Sequence, residues 1–183
     1  MAFTESEVIA LLAQVFASSN SNLEVGIGDD AAVLHTSART VITTDMAVEG
    51  VHFRRDWSTP FEIGRKVTAA NAADILAMGA TPDYLLVAVA LTGTESMEWI
   101  SELARGIKFE ADLAGMHVIG GDISRSENVV ISMTAVGHCH KAITRAGAQV
   151  GDGIYLSSLT GWSAAGLAIL QSAIGGKSEA GKL

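Results

Sequence analysis

Apolar positions recur along this chain with two different periods, and the switches between them lay out its elements. Over residues 4–17, Val8, Leu11, Leu12 and Val15 share one helical face, and Thr4 with Glu7 three places on forms a capping signature. The polar run SSNSN ends that helix. RTVITTDMAVEG is rich in β-branched residues and reads as a strand that fails near Asp45. Thr59, Pro60 and Glu62 announce a helix through FEIGRKVTAANAADILAM, closed by Gly79. DYLLVAVAL predicts a buried strand, and TESMEWISELARGIKFEADLAG a long amphipathic helix that ends at Gly115 and carries Trp99 on its apolar face. HVIGGD reads as a short strand meeting a glycine turn. NVVISMTAVG and GIYLSS read as further strands, and GWSAAGLAILQS as a last helix before a polar end.

Strands and helices alternate, yet several strands suit antiparallel pairing, so the pattern predicts an α+β fold with helices covering a sheet face. DYLLVAVAL is apolar at nearly every position and asks for cover on both faces. The strand and helix near the C-terminus carry too little apolar surface to fold alone. The expected division is therefore a main domain over 1–150 and the beginning of a second over 151–183.

Composition narrows the function classes. The 183 residues leave room for one full domain, and 49% hydrophobic against 17% charged residues is the profile of a packed core. Twenty acids against twelve bases, a formal charge of −8, disfavour nucleic acid or an anionic membrane as the main partner and suit divalent cations. Cys139 is the single cysteine, so no intrachain disulfide forms and a reducing cytoplasm is expected. The longest apolar run, YLLVAVAL, is far short of the roughly 18 residues of a membrane span. MAFTESEVIALLAQVF carries acids where a signal peptide needs bases.

The candidate chemistry lies in the acids. Asp29 and Asp30 follow the Gly-Ile-Gly turn of EVGIGDDAAVLH, Asp45 follows two threonines, and Asp122 follows Ile-Gly-Gly. Carboxylates at strand–loop boundaries beside glycine or hydroxyls can line one rim of a sheet. Asp74 sits mid-helix among alanines, with Asn71 and Ala70 three and four residues before it. Two readings stay open for it: burial, which obliges a cation or donors, or a solvent-facing position opposite Ile63, Val67 and Met78. Oxygen ligands without a His/Cys cluster favour Mg²⁺, and magnesium held this way usually means phosphate. The sequence has neither a Walker loop nor kinase H-R-D or D-F-G signatures. The glycines of VIGGDIS would let backbone N–H groups approach a phosphate, although Gly-Gly-Asp is most often only a turn. His138 and His140 lie on one side of a strand with Cys139 opposite, and lack the further ligands a metal site requires.

GIGDDAAVL, VITTDMAVEGVHF, AANAADILAMGATP, VIGGDIS, TRAGAQVGDGIYL and SAAGLAIL, in this order, resemble the thiamine-monophosphate kinases, relatives of aminoimidazole ribonucleotide synthetase and selenophosphate synthetase. The resemblance implies the N-terminal domain of that fold, a mixed β-sheet covered by helices, with ATP-dependent phosphorylation of thiamine monophosphate to thiamine diphosphate. It implies Asp30, Thr43, Thr44, Asp45, Asp74 and Asp122 as Mg²⁺ ligands with Asp29 beside them. Gly121, Asp122 and Arg145 would contact ATP, and His52 thiamine monophosphate. It further implies a homodimer in which two sheets meet. Selenophosphate synthetase is disfavoured because no cysteine lies near the N-terminus.

Two positions depart from the family pattern: Trp162 stands where relatives carry an Asp, and Arg105 where some carry an ATP-contacting tyrosine. The family also has a second domain supplying further acidic ligands. The alternative function is therefore a non-catalytic, dimerising, nucleotide-binding domain of the same superfamily.

Overall fold

The computed structural model describes residues 4–17, 19–25, 33–34, 39–144, 146–156, 158 and 160–172. Its elements are α1 (Glu5–Val15), β1 (Leu23–Val25), β2 (Val33–Leu34), β3 (Arg39–Val48), α2 (Pro60–Ala77), β4 (Thr81–Leu91), α3 (Met97–Ala114), β5 (His117–Arg125), β6 (Val130–Cys139) and α4 (Trp162–Gln171). β1 and β2 form an antiparallel pair. The other four strands make one mixed sheet in the order β3-β6-β4-β5, with β6 antiparallel to both neighbours and β4 parallel to β5. The α+β architecture expected from the pattern is the one observed.

Local chemistry sets the helix ends. Thr59 Oγ1 accepts from the Glu62 amide at 3.3 Å while Glu62 Oε2 accepts from the Thr59 amide at 2.7 Å, with Pro60 in the first turn. Thr4 and Glu7 repeat the motif on α1. Ser96 caps α3 at the amide of Trp99, and Gly115 ends it in the left-handed region at φ +74°.

α2 and α3 cover one face of the sheet. Ile63, Val67 and Ile75 from α2 and Leu103 and Ile107 from α3 pack on Leu85, Val118, Ile131 and Met133. α1 adds a smaller cluster, Val8 against Leu91 and Ile100. The two main helices approach closely because both carry glycine at the contact. A Cβ on Gly64 would lie 2.4 Å from the Leu103 carbonyl oxygen, and one on Gly106 2.1 Å from that of Phe61.

Three expectations are corrected. β3 does not fail at Asp45 but runs on to Val48, because β6 pairs with it along its whole length and an exposed carboxylate is tolerated on an edge strand. Gly120 and Gly121 make no turn, and β5 continues through them to Arg125. β5 carries one extra residue, Ile119, between the partners of Leu85 and Leu86, and beyond it the two backbones run so close that a Cβ on Gly121 would sit 1.8 Å from the Val87 oxygen. GIYLSS forms no strand among the described residues. Ile154, Tyr155 and Leu156 are exposed, and no strand among the described residues lies beside them to complete a ladder. α4 forms as the pattern predicts and buries only Gly166.

Candidate functional site

Alternation along β3 sorts its side chains. Val41 and Ala47 pack into the helix-covered core, so Thr43 and Asp45 project from that same face, toward α2. There Thr43 Oγ1 donates to Asp74 Oδ2 at 3.2 Å, joining two motifs 31 residues apart. Asp74 is exposed, and the buried side of α2 is formed instead by Asn71, Ile75 and their neighbours. Of the two readings open for Asp74, the structure therefore takes the solvent-facing one. Asp45 is exposed too, and its Oδ1 accepts from the Met46 amide at 2.7 Å. Thr44 points to the opposite face, where its hydroxyl donates to the Met133 carbonyl and accepts from Thr134.

Asp122 is elsewhere. It stands on the far edge strand β5, paired with Ala88 of β4, and its neighbour Ile123 packs on the helix side, so Asp122 faces the other side of the sheet, away from α2 and α3. Three strand spacings, about 14 Å, separate β3 from β5. The chain thus brings Thr43, Asp45 and Asp74 to one place and leaves Asp122 with Gly121 at another. Asp29, Asp30 and Arg145 lie outside the described residues.

A site for Mg²⁺ is tested by what the acids present. The donors around Thr43 are all hard oxygens, and both carboxylates are open to solvent, which fits a hydrated magnesium ion. Among the described residues no three His, Cys, Asp or Glu side chains converge as a metal cluster. At the end of β6, His138 Nδ1 lies 2.6 Å from Asp83 Oδ2, Cys139 is buried and His140 is exposed.

His52 sits in the loop after β3. Its Nδ1 accepts from the Val48 amide at 3.1 Å, its own amide donates back to the Val48 carbonyl, and Lys66 Nζ donates to its carbonyl at 2.6 Å. With Nδ1 accepting, the ring proton belongs on Nε2, which leaves a neutral imidazole with a donor to offer. Phe53 beside it is buried. Arg105, on the outer side of α3, pairs with Glu102, and Trp162 is exposed at the start of α4.

Sequence reasoning missed Glu95, whose side chain is fully buried. Burial by itself works against its charge. Hydrogen bonds from the Thr92 hydroxyl and the Gly93 amide, with the Arg55 guanidinium, nonetheless hold the carboxyl below its ordinary value. The only signal was the hydroxyl-rich TGTES ahead of a helix. The buried Asn71 was missed as well; its Nδ2 donates to the Val67 carbonyl, and its Oδ1 finds no partner among the described residues.

Comparison with known proteins places this geometry in a family. The family model described as AIR synthase related protein, N-terminal domain, matches residues 28–139. The thiamine-monophosphate kinase of Corynebacterium glutamicum is 40% identical over 173 residues, covering 91% of this chain and 50% of that protein. The crystal structure of thiamine-monophosphate kinase from Stenotrophomonas maltophilia K279a superposes with a TM-score of 0.78 at 34% identity, over 92% of this chain and 52% of that one. A structure of AaThiL complexed with AMPPCP and TMP gives 0.72 at 32% identity, over 92% and 53%. The chain spans about half the length of the curated relatives it matches. On the motif order, the mixed sheet and the family-model match over residues 28–139, the chain belongs to the AIR synthase related family, and within it is similar to thiamine-monophosphate kinases.

Proposed function

We propose that the chain is the nucleotide- and magnesium-binding part of an ATP-dependent kinase that converts thiamine monophosphate to thiamine diphosphate. The observation that carries this reading is the Thr43–Asp74 contact, which joins the TTD and AAD motifs on one face beside Asp45. Asp29 and Asp30, adjacent in sequence to β2, would complete that ligand set, while Gly121, Asp122 and Arg145 would meet ATP. Bound Mg²⁺ would neutralise phosphate charge that otherwise keeps two anionic substrates apart. His52, with its Nε2 donor, would meet the phosphate of thiamine monophosphate. The attacking phosphate oxygen is already ionised, so the reaction requires no general base, and its demands are positioning and charge neutralisation.

The uncovered sheet face supports a homodimer. Ile42 and Met46 are exposed there beside the half-buried Leu86, Ala88 and Val136. The acidic charge speaks against nucleic acid or an anionic membrane as partner, no helix among the described residues is long and apolar enough to cross a membrane, and a cytoplasmic location fits the single cysteine. A second reading, nucleotide binding without turnover, is favoured by the distance between Asp122 and the Thr43 cluster.

Calorimetric titration of MgATP, paired with a coupled ADP-release assay on thiamine monophosphate, separates the readings. Weak MgATP binding that is lost in both Asp45→Asn and Asp122→Asn, with negligible turnover, is the expected result for the 183 residues alone. Turnover dependent on thiamine monophosphate makes the chain a complete kinase. Affinity unchanged in both variants removes the two aspartates from the site.

A further inference from the structure

We propose that Arg55, gripped between Glu49 and the buried Glu95, is the positioning residue that fixes the loop after β3 and thereby the hydrogen-bonding state of His52. Three segments meet at this one guanidinium. Arg55 Nε donates to Glu49 Oε1 at 2.6 Å, and Nη1 donates to Glu95 Oε1 at 2.8 Å. Glu49 is itself fixed: its amide donates to the Val129 carbonyl at 2.9 Å, and its Oε2 accepts from the Val129 amide at 3.3 Å. Glu95 accepts from the amides of Thr92 and Gly93 and from the Thr92 hydroxyl, so it is held rigidly between β4 and α3.

A carboxylate taken wholly out of water keeps its charge only if paired, and Arg55 is the one cation the described contacts bring to it. The pair therefore draws Arg55 inward and drags the loop with it. A planar fork that reaches two carboxylates at once fixes direction as well as distance, which a lysine cannot do.

What the grip fixes lies three residues upstream. Phe53, next to His52 in the chain, is buried in the core, and the loop closes with the Gly50 amide donating to the Phe53 carbonyl at 2.8 Å. In that closed turn His52 Nδ1 faces the Val48 amide. If the turn loosens, the bond is lost, both neutral tautomers of the imidazole become populated, and the donor is no longer directed. The functional weight of this grip rests on the reading of His52 as the substrate-phosphate contact; the grip itself rests on the geometry alone.

The test is ¹⁵N NMR of the histidine side chains in the full 183-residue chain, with His52 assigned by loss of its signals in His52→Gln. The wild type is expected to show a single Nε2–H tautomer with unprotonated Nδ1. The double variant Arg55→Met, Glu95→Gln removes both charges together, so neither is left buried alone. It is expected to stay folded, to show mixed tautomers at His52, and to exchange the Val48 amide at least about tenfold faster while the α2 and α3 amides are unchanged. Arg55→Lys, which keeps the charge but reaches one carboxylate, is expected to fall between them and serves if the double variant does not fold.

Unchanged tautomer and unchanged Val48 exchange in a folded variant overturn the proposal. Titration with thiamine monophosphate separates it from the reading it rests on. If wild-type His52 signals do not respond to that ligand while the variants still mix tautomers, the grip stands and the substrate role of His52 falls.

Discussion

At the scale of single residues, Glu95 makes the most distinctive prediction. Its folded-state carboxyl is held below the ordinary value of 4.5, so its ionised form favours the folded chain. That contribution is fully present above the unfolded value and is lost as pH falls through the lower, folded one. Glu95→Gln is therefore expected to be less stable than wild type near neutrality, with the gap in melting temperature narrowing as pH drops below about 4.5. A gap that stays constant from pH 7 to pH 3 would show that the buried charge contributes nothing. None of this was legible in the sequence, where Glu95 stands in a polar run ahead of a helix. Thr43 and Asp74 were legible as types of residue, but their contact was not, because it joins a strand to a helix through tertiary packing alone.

At the scale of elements, the helices were the most legible parts, because their signals are local. Thr4 with Glu7, Thr59-Pro60-Glu62 and Gly115 set their ends within a few residues of themselves, and the structure bears each out. Strand ends were less legible because a strand stops where its partner stops. β3 runs past Asp45 because β6 accompanies it, and β5 runs through Gly120 and Gly121 because β4 does. The close helix crossing at Gly64 and Gly106 gives this scale its prediction. Alanine in place of Gly106 gains roughly 0.5–1 kcal/mol of helix propensity, whereas forcing a methyl to 2.1 Å from the Phe61 oxygen costs more, about 1–3 kcal/mol as overpacking. Gly106→Ala is expected to lower the urea midpoint with an unchanged slope. A midpoint at or above wild type would mean that α2 and α3 separate without penalty.

At the scale of the whole molecule, the described residues cover the sheet on one side only. DYLLVAVAL asked for cover on both faces, and α2 and α3 supply one of them, burying Leu85 and Val87 and leaving Leu86, Ala88 and Ala90 half-exposed. On the dimer reading a second copy covers the rest. Sedimentation velocity at micromolar concentration is then expected to show a dimer for the wild type. Ile42→Lys combined with Met46→Lys, two changes at exposed positions on that face, is expected to give a folded monomer. A clean wild-type monomer would count against the homodimer.

The sequence by itself determined the α+β class, the helices and their caps, the family resemblance and the acids and threonines that bear on magnesium and phosphate. Each of these is written in residue type at short spacing, where propensity, capping and motif order act without help from the rest of the chain. The tertiary structure alone decided which acids meet. Strand alternation puts Asp45 on the helix side and, across the register shift beside Gly121, puts Asp122 on the open side. It also decided that Asp74 is exposed while Asn71, three residues before it, is buried. The burial of Glu95 belongs with these. A carboxylate reads the same in sequence whether water or an arginine 40 residues away compensates its charge, and only the folded chain brings that arginine within hydrogen-bonding distance.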